Sequence, residues 1–315
     1  MKKSVDGYMH NRLQTKFSGV TVDSPLVLPA GVMGMSYSGM SYSAVHGAGV
    51  ITSKSLTLQP RTGHKGPVMA GFEGGFLNCM GLCNPGIQDG LREVNDFKER
   101  SDTPVIVSVF ATNMDDFLQL THHVNESAGD FLELNLSCPN VFDEFGIPLA
   151  ASAEEVGRIV GAVKGISKKP VIAKLSPNVY DIVSIACAAQ DAGADGLCMI
   201  NTVGPGMLID TKMVKPVLHN KFGGLSGPCI KPIALKLVYQ TSSAIDIPIL
   251  GMGGVTYGND AVEMWMAGAQ IIGVGTAIYY RGIDVFNMIN QEILAYLDEM
   301  GYETINDIPR LEPIL

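Results

Sequence analysis

Eight short, continuous apolar runs alternate with amphipathic stretches along the chain, and this rhythm constrains the fold more than any other feature. The runs are Leu26–Ala30, Val50–Ser53, Pro104–Phe110, Phe131–Leu136, Pro170–Leu175, Gly196–Asn201, Ile247–Gly251 and Ile271–Val274. They are rich in Val, Ile and Leu with little polar alternation, as strands are when both faces are covered. Helical stretches separate them, among them Met114–Ser127, Ala153–Ile166, Tyr180–Asp191 and Asp260–Met266. Gly47-Ala48-Gly49, Ala128-Gly129-Asp130, Gly193-Ala194-Asp195-Gly196 and Gly268-Ala269 each stand just before a strand, where glycine past a helix end lets the chain turn back. Ser152 and Glu155 have the spacing of a capping box. Eight strand–helix units predict a closed (β/α)8 TIM barrel of the α/β class with inserted active-site loops. An open doubly wound sheet would put a G-x-G-x-x-G after an early strand, and none is there. No linker interrupts the pattern, so residues 1–315 are expected to form one domain.

Composition narrows the function classes. Charged residues make up only 17% of the chain and hydrophobic ones 46%, so much of it is interior or interface. The net charge of −9 and the lack of clustered Lys and Arg argue against nucleic acid as a partner. The apolar runs are strand-length, far below the roughly 18 residues of a membrane span. Two lysines at the N-terminus precede no apolar run, so no signal peptide is expected and the location is expected to be cytoplasmic. Of the six cysteines only Cys79 and Cys83 are close, with no second pair to complete a metal site, so no metal is expected and the thiols are read as reduced. His122 and His123 are adjacent and read as surface residues.

Two regions break the rhythm: Lys54 to about Gly86, and Asn201 to about Pro228, both without a clear helix. Long insertions in a barrel commonly carry the active site, at the strand C-termini. There the chain places Lys54-Ser55, Asn135 to Asn140, Lys174-Leu175-Ser176, Asn201-Thr202, Gly251 to Gly254 and Gly275-Thr276. The glycine turns after strands seven and eight suit a phosphate, because no Cβ blocks approach to their N–H groups. Lys54 and Lys174 are desolvated at strand ends and call for a negative charge. That charge is a core carboxylate, an electron-rich ring or a substrate carboxylate; a Schiff base is a further use for either lysine. Cys138, on a loop at the mouth, can accept a proton as thiolate. Asn78, Asn135, Asn140 and Asn201 offer donor and acceptor edges together and suit a planar ligand such as a pyrimidine.

These segments, with Asn78-Cys79-Met80-Gly81-Leu82, Ser176-Pro177-Asn178 and Gly223-Gly224-Leu225-Ser226-Gly227-Pro228, resemble the class 1 dihydroorotate dehydrogenases over nearly the whole chain after residue 16. The resemblance implies FMN and the oxidation of dihydroorotate to orotate in pyrimidine synthesis. It implies Cys138 as the base for the C5 proton. It implies Lys54, Asn78, Met80, Gly81, Leu82, Asn135, Asn140, Asn201 and Thr202 around the substrate. Around FMN it implies Ala30, Gly31, Lys54, Ser55, Asn135, Lys174, Ile200, Gly227, Gly253, Gly254, Gly275 and Thr276. Ser176-Pro177-Asn178-Val179 and the Gly-Leu-Ser-Gly-Pro turn are most similar to the NAD-linked subtype. That subtype implies a homodimer that docks a separate subunit carrying FAD and an iron–sulfur cluster. Two features depart from it: Val141 to Gly146 lacks a Gly-Gly, and Ser108 stands where the subtype has asparagine. These departures leave a fumarate- or quinone-linked enzyme as a rival. The other rivals are a flavin enzyme for another pyrimidine, a Schiff-base lyase using Lys54 or Lys174, and a barrel that only binds.

Overall fold

The computed structural model describes residues 12–136 and 152–313. Eight parallel strands close a barrel: β1 (Leu26–Leu28), β2 (Val50–Thr52), β3 (Val105–Val109), β4 (Phe131–Asn135), β5 (Val171–Lys174), β6 (Gly196–Met199), β7 (Ile249–Met252) and β8 (Ile271–Gly273). Each pairs with its sequence neighbours, and β8 returns to β1, with Ile272 opposite Leu26. The expected (β/α)8 barrel is therefore the observed one. The strands are a residue or two shorter than the apolar runs, because the run ends turn out of the ladder toward the cavity.

The outer layer is α1 (Tyr37–Val45), α2 (Ile87–Lys98), α3 (Met114–Asn125), α4 (Ala153–Lys164), α5 (Ile182–Asp191), α6 (Lys231–Ser242), α7 (Gly258–Met266) and α8 (Val285–Met300). Its logic is clearest in α4. Val156, Ile159, Val160 and Val163 are buried at helical spacing and pack the helix on the barrel. Burying each such side chain contributes about 1.5–3 kcal/mol. The helix starts at Ser152, whose hydroxyl accepts the Glu155 N–H at 3.1 Å. Asn113 and Asp181 cap α3 and α5 in the same way. His122 and His123 are exposed at the end of α3, as expected.

Alternate strand residues fill the barrel. Val27, Val50, Ile106, Phe131, Ile172, Cys198, Leu250 and Ile271 form an inner cluster with Phe17 and Val22. These last two come from a hairpin, Thr15–Phe17 against Val20–Val22, that plugs the N-terminal end; Phe17 meets Phe131 edge-on at 5.9 Å. At the other end, the two regions expected to be irregular form an antiparallel four-stranded sheet in the order Val203–Gly206, Gly223–Ser226, Gly75–Asn78, Met69–Phe72. Asn78 lies opposite Gly224, so segments nearly half the chain apart build one cover over the barrel mouth. No helix among the described residues is long and apolar enough to cross a membrane.

Candidate active site

Beneath that cover lies a cavity of about 660 Å³ at the C-terminal ends of the strands. Its size is in the usual range for a cofactor or small-ligand site. The barrel strands deliver their C-terminal residues to it: Ala30 and Gly31 after β1, Lys54 and Ser55 after β2, Asn135 and Lys174 at the ends of β4 and β5. Ile200, Asn201 and Thr202 follow β6, Gly253 and Gly254 follow β7, and Gly275 and Thr276 follow β8. The covering sheet and its loops add Asn78, Met80, Gly81, Leu82 and Gly227. Every described residue assigned to substrate or cofactor thus lines one cavity, whereas Leu175, Ser176 and Gly251 of the same strand ends do not; Cys138 and Asn140 lie outside the described residues.

The floor is polar and buried. Asn135 donates to Ser55 Oγ at 3.1 Å, and Ser55 Oγ is 2.9 Å from Ser108 Oγ. Ser108 is fully buried on β3, and its hydroxyl fixes Ser55, the residue that meets the cavity. Lys174 is 4% exposed; its Nζ stands 3.9 Å from Glu133 Oε1, so part of the charge it needs is a core carboxylate. Burial pulls the Lys174 ammonium down, but the Glu133 carboxylate and Cys198 more than offset this and leave it above the ordinary lysine value. Lys54 is shifted the other way, first by burial and then by repulsion from Lys174. Among the described residues the Lys54 ammonium makes no ion pair.

The wall after β7 is tight. Gly254 has φ +77°, and a Cβ there would stand 2.8 Å from the Gly227 carbonyl oxygen. The Gly254 turn can approach the Gly227 carbonyl only because Gly254 has no Cβ, while a Cβ at Gly227 would instead meet Gly75 Cα at 2.9 Å. Asp260 fixes this loop by accepting the N–H groups of Thr256 and Tyr257, each at 2.9 Å, and Lys231 ties Asp260 to α6 at 2.5 Å. A backbone-lined concavity beside two lysines matches a bound phosphate and an electron-rich ring.

Sequence reasoning missed several supports. Asn178 donates to the Thr202 carbonyl at 3.0 Å and accepts the Gly204 N–H at 2.9 Å, which sets the Asn201–Thr202 rim. Asn84 accepts the N–H groups of Thr57 and Gly86 and donates to the Leu82 carbonyl, which shapes the Met80–Leu82 loop. Arg61, His64, Phe76 and Tyr279 also line the cavity. They lie in, or pack against, segments with no periodicity, and only the long-range sheet pairing brings them there.

A family model for dihydroorotate dehydrogenase matches residues 12–297. The chain belongs to the dihydroorotate dehydrogenase family. Within it, the chain is 43% identical to a protein of Pyrococcus abyssi over 94% of this chain and 97% of that one. A protein of Methanocaldococcus jannaschii is 42% identical over 91% and 94%, and one of Bacillus mycoides 40% identical over 94% and 96%. All three are named dihydroorotate dehydrogenase B (NAD(+)), catalytic subunit. Membership of a dehydrogenase family sets aside the lyase and the binding-only barrel.

Proposed function

We propose that the chain, folding as one barrel domain, oxidises dihydroorotate to orotate in pyrimidine synthesis with FMN held in the cavity. The observation that carries this reading is the convergence of both glycine turns, both lysines and three asparagines on one 660 Å³ space. The residues fit the cofactor. The turns at Gly253-Gly254 and Gly275-Thr276 would hold the phosphate, Ala30, Gly31, Ser55 and Gly227 would hold the rest of the group, and Lys174 would supply positive charge beside the ring. FMN supplies a two-electron acceptor for the hydride leaving C6 of dihydroorotate.

The chain's own residues do the rest. Cys138 Sγ takes the C5 proton, so that loss of H⁺ from C5 and H⁻ from C6 leaves the C5=C6 double bond of orotate. Lys54 balances the substrate's carboxylate, a charge that opposes the lowering of its proton affinity by burial and by Lys174. Asn78, Asn135, Asn140, Asn201 and Thr202 read the ring's N–H and C=O edges, and the sheet above the mouth keeps water from the reacting face.

The purified chain is expected to be yellow and to release one FMN per chain on heating; a colourless protein that cannot be reconstituted with FMN contradicts the reading. Asn78→Ala and Asn201→Ala are each expected to weaken orotate binding by about 1–3 kcal/mol, the cost of a buried polar edge left unpaired. Calorimetric titration checks this, and unchanged affinity in both variants would remove the asparagines from the substrate's surroundings.

The relatives' names include an NAD⁺ link and the words catalytic subunit. Those words support a separate partner subunit; from the resemblance to the NAD-linked subtype we infer further that the chain works as a homodimer and that the partner carries FAD and an iron–sulfur cluster.

A further inference from the structure

A buried carboxylate below the cavity floor has no part in the chemistry above. Glu133 sits mid-strand in β4, on the inward face with Phe131 and Asn135, and is 0% exposed. Among the described residues no hydrogen bond of ordinary geometry reaches either of its carboxylate oxygens, although the Cys198 thiol interacts with it. In the β4–β5 ladder Asn135 is opposite Lys174 and Glu133 is opposite Ile172, so Glu133 lies one layer deeper than the lysine. Lys174 lines the cavity and Glu133 does not. At 3.9 Å the two charges are too far apart for a hydrogen bond and attract through the buried interior.

A charge is kept in such a place at a cost of several kcal/mol unless a partner offsets it. The groups that face Lys174 among the described residues are Glu133 from β4, Cys198 from β6 and Lys54 beyond β2. Lys54 repels it. Burial, then Glu133, push the Cys198 thiol well above its ordinary value, so Cys198 stays protonated and supplies no charge at neutral pH. At neutral pH Glu133 is therefore the group of the three that holds the ammonium charged, and Cys198 adds to this only where its thiol ionises.

We propose that Glu133 is a positioning residue that keeps Lys174 protonated and aimed at the cavity, and thereby sets the redox potential of the flavin bound there. The inference rests on the FMN reading. A fixed positive charge at the floor favours the reduced flavin, which gains negative charge. Because the lysine is nearer the cavity than the carboxylate, the pair acts on the ring as a net positive charge.

The test is the midpoint potential of bound FMN, measured spectroelectrochemically from neutral to alkaline pH in the wild type, Glu133→Gln, Glu133→Asp and the double variant Glu133→Gln/Lys174→Met. In Glu133→Gln the potential is expected above wild type at the lower pH, where the ammonium remains without its opposing charge. It then falls with rising pH and crosses below wild type as Lys174 loses its proton. Glu133→Asp, which keeps the charge, is expected to follow the wild-type profile. The double variant is expected below wild type throughout, with no crossing. A Glu133→Gln profile that tracks wild type at every pH overturns the proposal. If the unpaired lysine prevents that variant from folding, the double variant, which buries no charge, decides instead, and wild-type potentials in it overturn the proposal equally. A wild-type chain that takes up no flavin defeats the FMN reading itself, a different result from flavin bound with an unaltered profile.

Discussion

Cys138→Ala is expected to slow dihydroorotate-dependent bleaching of the flavin by about 10²–10⁴-fold while FMN stays bound, the usual worth of a general base. The alanine keeps the loop's size class and removes only the proton acceptor. Because Cys138 lies outside the described residues, the expectation rests on its motif, Asn135-Leu136-Ser137-Cys138-Pro139-Asn140, and on the neighbouring Asn135 at the cavity floor. Cys138→Ser gives the complementary result. A serine hydroxyl holds its proton far more tightly than a thiol, so its rate should recover only as pH rises. Stopped-flow absorbance after anaerobic mixing measures both. If the alanine variant keeps more than about a tenth of the wild-type rate, another group removes the C5 proton, since that loss is below the range for a general base.

The second large effect concerns the electron acceptor. The chain alone is expected to give no NADH from dihydroorotate and NAD⁺, and to gain that activity when the separate FAD and iron–sulfur subunit is added. The relatives are named as catalytic subunits of an NAD⁺-linked enzyme, and the cavity of about 660 Å³ has a size suited to one cofactor and one small ring. Steady-state absorbance of NADH with and without the partner measures it. NADH production by the chain unaided would refute the need for a partner, and rapid turnover with fumarate alone would favour the fumarate-linked rival.

The barrel and most of its rim were legible in the sequence because parallel strands covered on both faces write themselves as unbroken apolar runs. Where such a run ends in Lys54, Asn135, Lys174 or Asn201, the polar residue marks the C-terminal mouth. The cover was not legible. Met69–Phe72 and Gly75–Asn78 are glycine-bearing and short, and their pairing with Gly223–Ser226 depends on contacts about 146 residues apart. Nothing local signals such a pairing. Nor did the sequence distinguish the inner from the outer face of a barrel strand. In Phe131-Leu132-Glu133-Leu134-Asn135 all five are buried, the leucines under helices and Glu133 inside the barrel. The same blindness hid the plug of Phe17 and Val22, whose hairpin strands are only three residues each. It also left open what charge Lys174 meets, which needed the distance to Glu133 to answer.

The central claim is that this cavity passes the electrons of dihydroorotate to its own flavin. It is tested most directly by anaerobic titration of the FMN-loaded chain with dihydroorotate, following the flavin's visible band and the orotate formed. The account predicts that the band bleaches fully with one orotate produced per flavin reduced. A chain whose flavin is bleached by dithionite but left oxidised by excess dihydroorotate would contradict it.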